Sequence, residues 1–149
     1  MPDFRIPQSQ VPLVGSDGVT ITREWFRFFS LLYQEVLMQS VTTVLFEGKA
    51  AENAQTTQYT SPVNNKTIID KFTAHNYSAG AVTLGVNIVA SGGSAATSNR
   101  VVNYALASGE TYNFPELVGH DLNSGDFIST IASAATSVSI RASGRQITP

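Results

Sequence analysis

The 149-residue chain contains no cysteine. Disulfides, thiolate nucleophiles and cysteine-ligated metal sites are thereby excluded. Charge is scarce too: Asp, Glu, Lys and Arg make up 13% of the residues, against about 25% in an average soluble domain. From Phe72 to Asn99 none of the four occurs, so the polar surface there must come from Ser, Thr and Asn. That composition is commoner in secreted, cell-surface and virion proteins than in cytosolic enzymes. The nine basic residues are scattered, and the net charge is −2 with a pI near 5.6. A nucleic-acid binder would cluster Lys and Arg on one face, so no nucleic-acid partner is expected.

Targeting and catalytic patterns are also missing. The opening MPDFRIPQSQVPLV carries Asp3 and early prolines in place of a basic start and an apolar core, so no secretory signal is expected. Apolar runs fall far short of the roughly 20 residues a bilayer needs, so no membrane span is expected. His75 and His120 stand apart, with no HxH or HExxH spacing to supply further metal ligands. Asp70, Glu110, Glu116, Asp121 and Asp126 mostly flank turn glycines or strand ends, where acids serve turns. There is no GxSxG elbow, and Gly92-Gly93 reads as a hairpin because neither Lys nor a helix follows. The expectation is a protein without catalysis, metal or cofactor.

What the chain does have is concentrated near its start. Residues 22–38, TREWFRFFSLLYQEVLM, place five aromatics, Trp25, Phe26, Phe28, Phe29 and Tyr33, in one predicted helix. Arg23, Arg27, Ser30 and Gln34 recur at spacings of three and four and form a single polar stripe on an otherwise apolar cylinder. Thr22 is the expected N-cap, with Glu24 complementing the dipole in the first turn. Each aromatic offers about 150–250 Å² of surface. Covering five is worth on the order of 20–30 kcal/mol gross at about 25 cal/mol per Å², an upper bound. Such a helix needs a partner, either this chain's own β-domain or another protein.

Before the helix, residues 1–19 hold Pro2, Pro7 and Pro12 among Ile6, Val11, Leu13 and Val14, and close on Gly15-Ser16-Asp17-Gly18. Proline fixes φ and removes a donor, so this segment reads as an extended arm without regular structure, apolar enough to lie against something. After Met38 the period changes. Val41–Phe46, Thr56–Thr60, Thr67–His75, Val82–Val89, Arg100–Ala105, Thr111–Phe114, Phe127–Ile131 and Ser137–Arg141 are short β-branched or aromatic runs separated by Asn, Gly and Ser turns. Val82, Leu84, Val86 and Ile88 alternate with Thr83, Gly85 and Asn87 and should line the core, as should Val138 and Ile140. The fold class is mainly β: a single antiparallel β-sandwich, jelly-roll or immunoglobulin-like, over 41–149, preceded over 1–40 by an arm and one amphipathic helix.

One internal echo stands out: Ser-Gly-Glu-Thr-Tyr at 108–112 and Ser-Gly-Asp-Phe-Ile at 124–128 predict two equivalent strand-entry turns. Tyr59, Tyr77, Tyr104 and Tyr112 could offer stacking faces to a sugar, so a carbohydrate-binding module for host-surface attachment is the alternative reading.

The segment IPQSQVPLVGSDGVTITREWFRFFSLLY resembles the start of small structural proteins of tailed bacteriophage virions: a proline-containing arm, a Gly turn, a Thr and a Trp- and Phe-rich helix. Pro12-Leu13-Val14, Gly18, Thr22, Trp25, Phe28 and Phe29 carry the match. TIIDKFTAHNYSAGAVTLGVNIV, SGETYNFPELVGHDLNSGDFIST and SVSIRASGRQIT likewise look like β-sandwich subunits of phage particles. The resemblance implies a virion location and a decoration or adaptor subunit on capsid, neck or tail. Its partners would be capsid, portal-vertex or tail subunits, with a homo-oligomer on the particle, and a host glycan under the alternative reading. Pro7, Pro12, Leu13, Val14, Trp25, Phe26, Phe28, Phe29 and Tyr33 are the expected partner-binding residues. No fibre shaft or heptad stretch is read after the sandwich, so a complete tail spike is not expected.

Overall fold

The computed structural model describes residues 12–16, 18, 20–37 and 39–148, with backbone alone for 33–37 and 39. Pro7 and the side chain of Tyr33 lie outside what is described. The chain divides into two compact units, parting between Gln39 and Ser40.

In the first unit, helix α1 spans Arg23–Leu37. Of the expected arm over 1–19, residues 1–11, 17 and 19 lie outside what is described, and the turn expected at Gly15–Gly18 is present. Val14 and Ile21 form an antiparallel bridge. Gly18 makes the return possible by adopting φ +69°, donating to the Gly15 carbonyl at 2.9 Å, while Thr22 N–H reaches the Leu13 carbonyl at 3.1 Å. Thr22 stands at the expected N-cap position, its carbonyl accepting Phe26 N–H at 2.9 Å, but its hydroxyl donates to the Pro12 carbonyl at 2.8 Å and ties the loop to the helix start.

The second unit holds β1 Gln39–Ala50 from Ser40 onward, β2 Thr56–Thr60, β3 Lys66–Asn76, β4 Val82–Val89, β5 Arg100–Leu106, β6 Thr111–Asn113, β7 Asp121–Leu122, β8 Phe127–Ala132 and β9 Val138–Thr148. One sheet has the order β1-β9-β3-β6, with β7 also on β3, and the other has the order β2-β8-β4-β5. β6 and β7 are two parts of one strand along β3: Thr73 pairs Asn113, and Ile68 pairs Asp121. Pro115, which has no N–H to give the ladder, opens the gap between them. The bulged segment turns Phe114 and Leu117 into the core.

Counted so, the eight strands behave as one long hairpin folded over. β4 pairs β5 at its tip, β3 pairs β6 and β7, β2 pairs β8, and β1 pairs β9 at its root. Rolling that hairpin brings β8 onto β4 and β9 onto β3, which gives two antiparallel sheets in jelly-roll order and excludes the immunoglobulin topology. Between them lie Ile69, Phe72, Leu84, Val86, Leu106, Phe114, Leu122, Ile128, Val138 and Ile140, all essentially inaccessible. Phe72 packs edge-on against Phe46 and Phe114, each centroid 5.6 Å away.

Candidate functional site

In the N-terminal unit, spacing of three and four residues along α1 puts Trp25, Phe28 and Phe29 together. The Trp25 ring lies 5.7 Å from Phe28 and 5.6 Å from Phe29, and Phe28 lies 5.6 Å from Phe29. Trp25 and Phe28 are half-buried, whereas Phe26 is 65% exposed and Phe29 and Leu32 about 40%. Leu13, Val14 and Ile21 of the preceding loop add further exposed apolar surface, and Pro12 is exposed beside them. Single exposed hydrophobics are ordinary, but this many in about twenty residues is not.

The tyrosines do not make a common platform. Tyr59 directs its hydroxyl inward, 2.9 Å from Thr67 Oγ1, and accepts from Gln146 Nε2 at 2.9 Å. Tyr104 and Tyr112 are half-buried against the core, and each has its ring stacked on the other. Tyr77 alone is exposed.

His75 lies in β3 and shares a hydrogen bond with Thr111 Oγ1 across to β6 at 2.8 Å. His120 is exposed beside β7. Among the described residues no group of three or more His, Asp or Glu is placed to hold a metal ion. Nor is any described helix long and apolar enough to cross a membrane.

The perturbed groups serve local contacts. A hydrogen bond from Lys66 at 2.6 Å, reinforced by its charge, holds the Asp121 carboxyl below its ordinary range. Burial pushes Glu52 up, but Lys49 at 2.8 Å and the Gln58 amide at 2.7 Å outweigh it, and its pKa is lowered. The Tyr104 hydroxyl donates to Glu110 at 2.9 Å, and that bond, with burial second, raises its pKa.

The echoed turns are equivalent. Glu110 accepts the Ala107 N–H at 2.6 Å and Asp126 accepts the Asn123 N–H at 2.8 Å, in each case three residues back. The glycine between adopts φ +73° at 109 and +83° at 125. These two acids are turn formers.

Sequence reasoning passed over Arg100. Its guanidinium lies across Gly85 on the outer face of the β2-β8-β4-β5 sheet. A Cβ at Gly85 would come within 3.0 Å of Arg100 Nε and 3.1 Å of Ile131 Cγ2. Arg100 Nε is buried, with no hydrogen-bond partner, and no carboxylate pairs with Arg100 among the described residues. A buried donor left so costs about 1–3 kcal/mol. Beside it a groove of about 260 Å³ is lined by Thr83, Asn103, Ile131 and Ser133. The only sequence signal was Gly85 standing in a strand, which marks a close approach.

The fold defines the class: an eight-stranded jelly roll carrying an N-terminal loop and helix. No family model matches the chain, and no curated protein matches it. Among solved structures it is similar to one from Bacillus endospore appendages that form disulfide-linked pili, with TM-score 0.46 and 16% identity over 74% of this chain and 89% of that one. It is also similar to a chain of infectious bursal disease virus, Gx strain, with TM-score 0.44 and 12% identity over 74% of this chain and 33% of that one. A T13 particle of the same virus matches at TM-score 0.44 and 12% identity, over 75% and 31%. Likenesses this distant carry no argument beyond themselves.

Proposed function

We propose that this protein is a non-enzymatic structural subunit of a virion, an accessory decoration or adaptor protein of a tailed phage. Residues 1–40 act as the anchor, and the jelly roll over 41–149 is displayed. The observation that carries this reading is the apolar surface of the N-terminal unit, where Phe26, Phe29 and Leu32 of α1 stand exposed near Leu13 and Ile21. An aromatic helix left so fits a groove on a neighbouring subunit, in the helix-in-groove manner. Trp25 and Phe28 would then be central anchors and Pro12, Leu13 and Val14 flanking contacts, with Pro7 and Tyr33 proposed as further partner contacts on the sequence alone. The low charge of the chain accords with a role in assembly.

The test is incorporation into particles. Trp25→Ala in the full chain should lower recovery on purified virions, since aromatic anchors of this kind are worth about 2 kcal/mol or more. Wild-type recovery of a folded Trp25→Ala protein, and of Phe29→Ala beside it, would refute the anchor.

A further inference from the structure

We propose that the groove at Arg100 binds an acidic saccharide, the guanidinium taking the sugar's carboxylate and the neighbouring side chains its hydroxyls. This goes beyond the docking role and does not depend on where the N-terminal unit attaches.

The site is built by strand register. Asn103 of β5, Gly85 of β4 and Ile131 of β8 form one row across the sheet, since Gly85 pairs with both its neighbours. Gly85 leaves that row without a side chain at its centre, and Arg100 occupies the space. Asn87 is held by contacts to Ala96 and Asn99 at 2.6 and 2.7 Å, so the loop leading to Arg100 is tied to the same strand. Arg100 is therefore positioned by packing and by no salt bridge.

The chemistry of the lining selects the ligand. A guanidinium is a planar fork that matches a carboxylate in two parallel hydrogen bonds. One cation beside neutral amide and hydroxyl groups suits a ligand with one charge and several hydroxyls, as in a uronic acid. Asn103 offers an exposed amide. Ser133 Oγ accepts the Thr83 N–H at 3.0 Å, which leaves the Ser133 proton free to donate outward. Ile131 supplies an apolar floor for the C–H face of a pyranose. At about 260 Å³ the groove is smaller than the roughly 300–1,000 Å³ of drug-sized sites and suits one sugar unit.

The experiment is an amide and Arg-side-chain NMR titration of the full-length protein with D-glucuronate, D-glucose and sodium acetate separately. Glucuronate should shift Arg100 Nε–H and the Gly85 and Asn103 amides saturably, at a concentration at least about tenfold below acetate, with glucose inert. Arg100→Gln should abolish the shifts with the rest of the spectrum unchanged. Gly85→Ala, whose methyl displaces the guanidinium, should weaken glucuronate about fivefold or more. Three results would overturn the proposal: no saturable shift with glucuronate, acetate binding as tightly as glucuronate, or glucose matching it. The second would mean that a bare carboxylate, such as an acidic protein side chain, is what Arg100 accepts.

Discussion

Tyr104 and Tyr112 lie face to face, ring centroids 4.4 Å apart and planes 13° from parallel, although they belong to different sheets. Tyr104 stands on β5 and Tyr112 on β6, each an outer strand of its sheet, and both rings meet Phe114 edge-on at 5.8 and 4.9 Å. The stack closes one side of the sandwich, and Glu110 in the turn between the strands fixes it through the Tyr104 hydroxyl.

Glu110→Gln should therefore lower the Tyr104 pKa toward the ordinary tyrosine value of about 10. The folded pKa is raised, so its contribution to stability is fully present below the unfolded pKa and is lost as pH rises through the folded one. Tyrosinate absorbance followed against pH checks this. An unchanged titration would mean that Glu110 does not hold the hydroxyl.

Asp126→Ala should destabilise the fold by about 1–3 kcal/mol. Its carboxylate accepts from Asn123 N–H at 2.8 Å and from Ser91 N–H at 2.9 Å, so the change frees two backbone donors in two loops. Urea denaturation would show a lower midpoint with the slope unchanged.

Gly144→Ala should cost about 1–3 kcal/mol or more, because the new methyl would collide with the Ile68 carbonyl where β9 meets β3. Gly80→Ala is the control. Nothing lies within 4 Å of the added Cβ there, and the effect should stay within about 0.5 kcal/mol. Equal losses at the two positions would refute the steric account.

Lys66→Met should return the Asp121 titration to the ordinary carboxylate range, as read by side-chain NMR. The wild-type pKa is lowered. The pair's contribution is thus present above the unfolded pKa of about 3.9 and lost as pH falls through the folded value. Both groups are about half exposed, so added salt should shrink the difference between wild type and variant.

Much of the fold was legible because its strands obey a period of two. Thr56–Thr60 and Val82–Val89 are the observed β2 and β4 to the residue, and Val82, Leu84 and Val86 are buried as their alternation implies. β7 was not legible: two residues carry no periodicity, and Asp121 and Leu122 are a strand only because β3 offers them a ladder. β9 runs to Thr148, well past Arg141, because β3 and β1 flank it, although Arg145 and Gln146 have no strand propensity to announce it. The turn before α1 was legible from Gly15-Ser16-Asp17-Gly18, but the Val14–Ile21 bridge that it allows was not, because that bridge pairs residues across the turn.

The sequence by itself determined α1 and most of the strands, the core-facing alternation, the turns at Glu110 and Asp126 and the aromatic face of α1, since each follows from spacing within a few residues. Only the tertiary structure decided between jelly roll and immunoglobulin order, since both satisfy the same alternation and differ in which distant strands pair. It alone set Arg100 over Gly85, fifteen residues apart in the chain, and stacked Tyr104 on Tyr112 as a seal on the core. Those contacts depend on register across strands, and register is a property of the assembled sheet.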